Sequence, residues 1–186
     1  MYETNLDHQD WDKAKSTCLI CKIDDNITVN LEDKTIGEEG THAEEFLLQE
    51  LEKKSEVRNV TIFMNNSPCS TPNHTCADKL LKYLDASENV RMTMYVTRLY
   101  MIARESCKRD GHSEDITNGS VHSAGLQRLK QHARCEINAF NKNVWEELLN
   151  ITKMTKEFKE EFMSKYCNVR SRKEEDDCIR SDLEII

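Results

Sequence analysis

Four residues in the first half of the chain have the types and spacing of a zinc site. His42 and Glu44 stand two positions apart in "THAEEFLLQELEKK", and Cys69 and Cys76 enclose the six residues "STPNHT". One imidazole and two thiolates bind zinc and leave its fourth position for water, as in catalytic zinc sites. The pattern therefore predicts zinc ligands at His42, Cys69 and Cys76. Glu44 would lie beside that water, and His74, inside the spacer, is an alternative ligand.

Each half of this pattern also has a purely structural interpretation. Thr41 with Glu44 three residues later would form a capping box at the start of a helix. Cys69 and Cys76 would close a small disulfide loop in an exported domain. The metal interpretation is preferred because it accounts for both halves together, whereas the capping box leaves His42 without a role.

Hydrophobic periodicity predicts strands and helices around the two halves of the motif. In chain order we expect a β-hairpin over 16–31, a helix over 41–54, a strand over 59–64, a helix over 76–87, the longest strand over 90–101, a helix over 123–133, a strand over 135–140 and helices over 143–151 and 155–166. Each half of the zinc motif then lies at the N-terminus of a predicted helix. Backbone N–H groups at those helix ends favour thiolates and a bound hydroxide.

The order of these elements indicates an α/β fold. The connection from Met101 to Cys135 is too long for a hairpin and contains a helix, so the last strand should run parallel to the strand before it. We expect a three-layer α/β arrangement, with a five-stranded mixed sheet and helices on both faces. The expected organisation is an N-terminal extension over 1–15, a single domain over 16–166 and a C-terminal tail over 167–186.

The charge balance restricts the kind of partner. With 34 acidic and 26 basic residues the net charge is −8, which weighs against tight, non-specific binding of nucleic acid. A local basic path remains compatible with this balance. The densest basic stretches consist of Arg98, Arg104, Lys108 and Arg109, and then Arg128, Lys130 and Arg134.

Cysteine content and glycosylation sequons favour an exported protein. The chain has eight cysteines, an even number that suits a disulfide set. N-x-S/T sequons occur at Asn26, Asn59, Asn65, Asn73, Asn118 and Asn150. The first residues lack the apolar segment of a signal peptide, so an exported chain would be the processed form. No apolar run is long enough to span a membrane, and we expect no membrane partner.

Three short motifs resemble those of the AID/APOBEC-like polynucleotide cytidine deaminases. They are "SPC" at 67–69, "VTRLYM" at 96–101 and "GLQRL" at 125–129, the last followed by a strand and a helix containing Trp145. The resemblance covers about residues 16 to 165, and the cysteines and sequons make the secreted branch the most similar. It implies the three-layer cytidine deaminase fold. The expected parallel last strand agrees with the polynucleotide branch, because free-nucleoside deaminases have a hairpin there.

The resemblance also implies roles for individual residues. His42, Cys69 and Cys76 would hold Zn²⁺, and Glu44 would move protons between the zinc-bound water and the base. The substrate base would be bound by Thr17, Asn30, Ala43, Ser67 and Tyr100, and its ring would stack on the tyrosine. This chain departs from the family in its six-residue spacer between the cysteines and in having Asn66 where a tryptophan is usual.

Six cysteines remain once two are assigned to zinc, enough for three disulfides. They are Cys18, Cys21, Cys107, Cys135, Cys167 and Cys178, and their connectivity stays open. Cys18 and Cys21 form a C-x-x-C motif. On a strand their side chains point to opposite faces, so a joint metal site or redox pair is not expected.

The expected function is hydrolytic deamination of cytosine to uracil in single-stranded DNA or RNA, by a zinc-dependent hydrolase acting on a cyclic amidine. Two rivals stay open. A deaminase of free cytidine or its nucleotides would need less basic surface. A binding protein that keeps the zinc fold without activity would agree with Asn66 and with the acidic charge.

Overall fold

The computed structural model describes residues 16–24, 27–32, 40–100, 102, 119–152, 154–166 and 172–186. These residues form five strands and six helices, in the order β1 (Cys18–Ile23), β2 (Ile27–Glu32), α1 (Ala43–Glu52), β3 (Asn59–Met64), α2 (Cys76–Ala86), β4 (Arg91–Val96), α3 (Gly119–Gln131), β5 (Cys135–Ala139), α4 (Lys142–Ile151), α5 (Lys156–Lys165) and α6 (Arg172–Ile185). The N-terminal extension expected over 1–15 lies outside the described residues.

The strands form one mixed sheet in the order β2-β1-β3-β4-β5. β1 pairs with β2 and with β3 in antiparallel fashion, and the β3–β4 and β4–β5 pairs are parallel. The prediction of a parallel last strand is therefore confirmed. Since β3, β4 and β5 all run the same way, their carboxyl ends meet at one edge of the sheet.

Two apolar clusters cover the two faces of the sheet. On one face, alternate residues of β1, β3 and β4 pack against α1, α2 and α3, with Leu19, Ile62 and Met94 at or near zero exposure. On the other face, Phe63 and Phe140 pack against α4 and α5. The alternation of buried residues along each strand produces this division, because successive side chains point to opposite faces. The predicted three-layer α/β fold is confirmed.

β4 is shorter than predicted. The sequence suggested a strand over 90–101, the longest of the sheet, but β4 ends at Val96 and has six residues, as β1, β2 and β3 have. Val96 pairs with Met64 on one side and with Ala139 on the other, and each of these is the last residue of its strand. Beyond Val96 no neighbouring strand remains to extend the ladder, so Tyr100 lies in a turn rather than in the sheet.

The segment expected to be a C-terminal tail contains α6, which the sequence analysis did not predict. Its Ile179 and Leu183 belong to the apolar cluster on the face of the sheet that carries α1, α2 and α3. Asp176 is fully buried and accepts hydrogen bonds from Trp145 Nε1 (2.7 Å) and Tyr166 Oη (3.1 Å). These contacts attach α6 to both α4 and α5.

The cysteines outside the zinc motif do not form the expected set of bridges among the described residues. No two described cysteines are joined by a disulfide, and Cys21 and Cys135 are thiols buried in the core. Burial raises the pKa of both to about 12, which keeps them protonated. Cys107 and Cys167 lie outside the described residues. Within the described part of the chain, none of the helices is both long and apolar enough to cross a membrane.

Candidate metal centre and active site

The three predicted metal ligands converge at the N-termini of α1 and α2. His42 Nδ1 lies 3.3 Å from Cys69 Sγ and 3.3 Å from Cys76 Sγ, and the three donor atoms all lie within 4.8 Å of one another. With zinc–ligand bonds of about 2.3 Å to sulfur and about 2.0 Å to nitrogen, tetrahedral coordination separates nitrogen from sulfur by about 3.5 Å. The donor set therefore fits a zinc ion. Among the described residues, His74 does not join this group.

The two thiols favour a cation between them. The hydrogen bond from Cys76 lowers the pKa of Cys69 to about 5, against the opposing effect of burial. The pKa of Cys76 is raised by its hydrogen bond to Cys69, by burial and by the nearby Glu44 carboxylate. The two pKa values move in opposite directions because two adjacent buried thiolates would repel each other. A divalent cation would remove that repulsion.

α1 begins one residue later than the predicted capping box requires. Its N-cap is His42, whose backbone N–H donates to Glu45 Oε2 (2.9 Å), and the Glu45 N–H donates to the His42 carbonyl oxygen (3.0 Å). The predicted box of Thr41 and Glu44 is therefore wrong, since the helical register gives the reciprocal position to Glu45. As a result Glu44 has no part in the cap.

Glu44 and Ala43 occupy the first turn of α1 on its buried side. Glu44 is 2% exposed and Ala43 is fully buried. Glu44 follows the ligand His42 by two residues in the first turn of α1, and its charge contributes to the raised pKa of Cys76. The arrangement leaves a buried acid beside a set of metal donors, as an acid–base catalyst requires.

An ion pair ties the two helix N-termini together. Lys79, on the first turn of α2, donates to Glu45 Oε1 on the first turn of α1. Burial acts to raise the pKa of Glu45, but the hydrogen bond from Lys79 and the backbone of His42 outweigh it and lower the pKa. The pair fixes the distance between the helix that carries His42 and the helix that begins at Cys76.

A tight turn takes up the long spacer between the cysteines. Thr71 and His74 exchange backbone hydrogen bonds of 3.1 and 3.2 Å, and the Thr71 hydroxyl bonds to both the carbonyl and the N–H of His74 at 3.1 Å. The Ala77 N–H then donates to the Cys69 carbonyl oxygen (3.0 Å). Six residues therefore return the chain to the metal group. The His74 ring stacks on His42, with centroids 4.1 Å apart.

Ser67 joins the loop before Cys69 to the segment after β4. Its N–H donates to the Arg98 carbonyl oxygen (2.9 Å), and its hydroxyl accepts a hydrogen bond from the Tyr100 N–H (2.9 Å). Ser67 is 2% exposed, while Tyr100 is half-buried. Tyr100 is thus held at the carboxyl edge of the sheet, close to the loop that carries Cys69.

Two asparagines hold Thr17 at the same edge. Asn65 Oδ1 accepts from the Cys18 N–H (2.8 Å) and its Nδ2 donates to the Ser16 carbonyl oxygen (2.9 Å), so both neighbours of Thr17 are bonded to one side chain. Asn66 Nδ2 donates to Thr17 Oγ1 at 3.4 Å. From the sequence, Asn65 is recognised only as a sequon and Asn66 only as a departure from the family.

Asn30 lies near the end of β2, opposite Ile20, and partners across an antiparallel pair point to the same face of the sheet. That face carries Phe63 and α4, whereas α1 packs on the other face against Leu19. Asn30 is exposed. Its role in binding the base stays a prediction.

The sequence analysis missed His122, a buried histidine next to the ligand loop. It is 1% exposed, and its Nδ1 accepts a hydrogen bond from the Ser70 N–H (3.0 Å). Its ring packs edge-on against Tyr100, with centroids 5.4 Å apart. Burial lowers the pKa of His122, in keeping with a neutral ring that accepts. Its helical spacing with Leu126 and Leu129 indicates a buried face but no chemical role.

The three residues of the second basic stretch each bond to another part of the fold. Arg134 donates to the carbonyl oxygens of Leu84 (2.7 Å) and Ser87, at the far end of α2. Arg128 donates to Asp78 Oδ1 (2.6 Å). Lys130 bonds to the carbonyl oxygen of Leu183. From the first stretch, Arg104, Lys108 and Arg109 lie outside the described residues.

Comparison with known proteins adds one finding. The family model described as APOBEC3, cytosine deaminase domain, matches residues 5–172. A comparison with curated proteins found no match. The matched range contains the three metal donors, Glu44 and the residues around Thr17 and Tyr100.

Proposed function

The chain belongs to the APOBEC3 cytosine deaminase domain family, and we propose that it catalyses the zinc-dependent hydrolysis of cytosine to uracil in single-stranded DNA or RNA. The observation that carries this proposal is the convergence of one imidazole and two thiols beside the buried Glu44. The family match supports deamination of cytosine, and the donor set supports zinc as the metal.

His42, Cys69 and Cys76 would hold the metal. When bound, zinc lowers the pKa of a coordinated water towards about 7 and supplies hydroxide at neutral pH. Glu44 would accept one proton from the water and deliver it to N3 of the cytosine as the water oxygen bonds to C4. Glu44 would then take the remaining proton from that oxygen and pass it to the exocyclic amine, whose bond to C4 breaks. The amine leaves as ammonia and the ring becomes uracil.

Thr17, Ala43, Ser67 and Tyr100 are the residues that we assign to the base. Stacking of a base on an aromatic ring contributes about 1 to 3 kcal/mol. Hydrogen bonds tie the Tyr100 backbone to Ser67 and hold Thr17 through Asn65 and Asn66, which supports preorganised positions for these residues. Asn66, at the position where the family usually has tryptophan, donates to the Thr17 hydroxyl.

The topology of the sheet supports a polynucleotide substrate. β5 runs parallel to β4, which is the arrangement of the polynucleotide branch that the sequence resembles. A single strand is expected because extracting a base from a duplex costs a few kcal/mol. The acidic chain should bind it modestly, and binding should weaken as salt rises.

Conversion of C to U in a single-stranded oligonucleotide tests the proposal, with free cytidine and the duplex form as parallel substrates across a salt series. We expect conversion of the single strand and little of the duplex. Conversion of free cytidine alone would favour the small-molecule rival. No product from either substrate at full zinc occupancy would favour the inactive binding module.

The first prediction concerns Glu44→Gln, which keeps the shape of the side chain but removes its proton transfer. General acid–base catalysis contributes about 10² to 10⁴-fold, so turnover should fall by at least that factor. Zinc content should stay at one per chain, because Glu44 is not a ligand. Glu52→Gln, at an exposed position of the same helix, is the matched control and should retain wild-type turnover.

Export from the cell is part of the proposed function. Its support is the cysteine and sequon content of the chain, together with the exposure of Asn59, Asn73 and Asn150. We expect Asn59 and Asn150 to be available to the glycosylation machinery. Asn73 lies between the two ligand cysteines, and we expect it to be unoccupied or to face away from the site. Asn65 should be unoccupied, because its amide already makes two hydrogen bonds. Mass spectrometry of protein from secreting cells tests this, and the absence of any glycan would argue against export.

A further inference from the structure

His122 stands where the metal-ligand loop and the base-stacking residue meet. It extends from α3, which contributes none of the predicted ligands, and it contacts two separate segments. Nδ1 accepts from the N–H of Ser70, the residue directly after Cys69, and the ring edge packs on Tyr100. We propose that His122 is a positioning residue that fixes Cys69 through the Ser70 backbone and orients Tyr100 for stacking.

The hydrogen bond to Ser70 is placed where it controls the ligand loop. Ser70 is 5% exposed, so its backbone N–H would be buried and unpaired if His122 could not accept. Leaving such a donor unpaired is costly, and the loop would have to shift to reach water. Cys69 moves with it, because the two residues share a peptide bond. Hydrogen-bonded residues behind metal ligands typically change metal affinity by about 10 to 100-fold when they are removed.

A glycine on the same helix leaves space for the side chain of Ser70. A Cβ atom at Gly125 would collide with Ser70 Oγ and approach the Cβ of Ala77 to 3.2 Å. Gly125 lies one turn from His122, so the two residues present one face of α3 to the ligand loop. The helix thus leaves space for the Ser70 side chain at one position and accepts its N–H at the other.

The contact with Tyr100 gives His122 a second effect, and this part rests on the proposed function. An edge-to-face contact of two rings restricts the tyrosine side chain, whose backbone is already tied to Ser67. A ring held in place loses less freedom when a base stacks on it. Substitution of His122 should therefore raise the KM for an oligonucleotide even where the metal site is intact.

Two substitutions separate these effects. His122→Leu removes the acceptor and the ring edge, whereas His122→Asn removes the ring but keeps an acceptor oxygen near the position of Nδ1. Gln127→Leu places the same new residue on the exposed face of α3 and is the matched control. Gly125→Ala, which displaces Ser70 without touching the contact of His122 with Tyr100, provides a second route if His122→Leu does not fold.

Three measurements apply to each variant. They are the exchange rate of the Ser70 amide hydrogen in metal-free protein, zinc affinity by competition with a chelator, and the kcat and KM of oligonucleotide deamination. His122→Leu and Gly125→Ala should speed exchange and weaken zinc binding by about tenfold or more. His122→Asn should stay within a few-fold of wild type in both, and raise KM with little change in kcat.

The inference is overturned if His122→Leu and His122→Asn change exchange and zinc affinity alike, as a general packing role would require, or if neither departs from Gln127→Leu. Exchange and affinity are measured without turnover. An inactive wild type would therefore sink the proposed function and leave the positioning role to be decided on these two readouts.

Discussion

Two buried polar clusters in this molecule differ in how completely they are satisfied. The first, the metal cluster, comprises His42, Cys69 and Cys76. The second, the Asp176 cluster, comprises Asp176 and the three residues that donate hydrogen bonds to it, which are Trp145, Tyr166 and Arg172. Both lie at the interface of several helices, yet only one of them calls for a ligand.

In the Asp176 cluster each carboxylate oxygen has partners. Oδ2 accepts from Trp145 and Tyr166, and Oδ1 accepts from Arg172 Nε at 2.8 Å. Arg172 also donates to the Thr97 carbonyl oxygen (2.7 Å). Burial raises the pKa of Asp176, while the Arg172 charge and the hydrogen bonds act in the opposite direction. With both carboxylate oxygens of Asp176 hydrogen-bonded, the network holds helices together and leaves no coordination position on this carboxylate for a metal.

In the metal cluster the donor atoms face one another. The imidazole nitrogen and both sulfurs lie within 4.8 Å, and the two thiol pKa values are displaced in opposite directions. One imidazole nitrogen and two thiolates converge on one point, and a divalent cation would offset the repulsion between the thiolates in a way that further hydrogen bonds would not. Buried polarity alone therefore does not mark a site, whereas converging donors do.

The largest effect should come from breaking the metal cluster. Cys76→Ser replaces a thiolate ligand by a hydroxyl that stays protonated, so zinc content should fall from one per chain to near zero and turnover should disappear. Elemental analysis with parallel activity measurements checks this. Cys135→Ser, which alters a buried thiol outside the cluster, should keep its zinc. Full zinc content in Cys76→Ser would refute the assignment of a ligand after the six-residue spacer.

Breaking the Asp176 cluster should reduce stability and leave zinc in place. Asp176→Asn removes the negative charge beside the buried Arg172, and losing one partner of a buried pair costs about 3 to 5 kcal/mol. Denaturant unfolding of zinc-loaded protein measures this loss. Asp177→Asn, one residue later on the exposed side of α6, is the control and should cost under about 1 kcal/mol, as surface pairs do. Loss of zinc from Asp176→Asn would contradict the prediction and show that zinc binding depends on the Asp176 cluster.

The elements around the metal cluster were predicted from the sequence more completely than α6, which carries Asp176. The bounds of β3 and the start of α2 at Cys76 follow from a β-branched run and a breaker, which act locally. The start of α1 was missed by one residue because T-x-x-E at Thr41 has the form of a capping box, and only the register of the folded helix selects Glu45.

The remaining misses depend on tertiary contacts. Charged residues dominate α6, so the spacing of Ile179 and Leu183 did not reveal a helix that packs on β5. His122 and Gly125 acquire their role only when α3 meets the ligand loop. The face of the sheet that Asn30 occupies likewise follows from the register of β1 and β2, which its position in the chain does not give.

The smallest predicted effect concerns the turn in the spacer that leads to Cys76. Thr71→Val keeps the shape of the side chain and removes the hydroxyl that bonds twice to His74. A hydrogen bond of this kind contributes about 1 kcal/mol, so zinc affinity should fall by a few-fold as the turn loosens. Asn73→Gln, at the exposed tip of the same turn, is the matched control and should bind zinc as wild type does. Chelator competition measures both. Equal affinities for the two variants would show that zinc itself, rather than the turn, determines the conformation of the spacer.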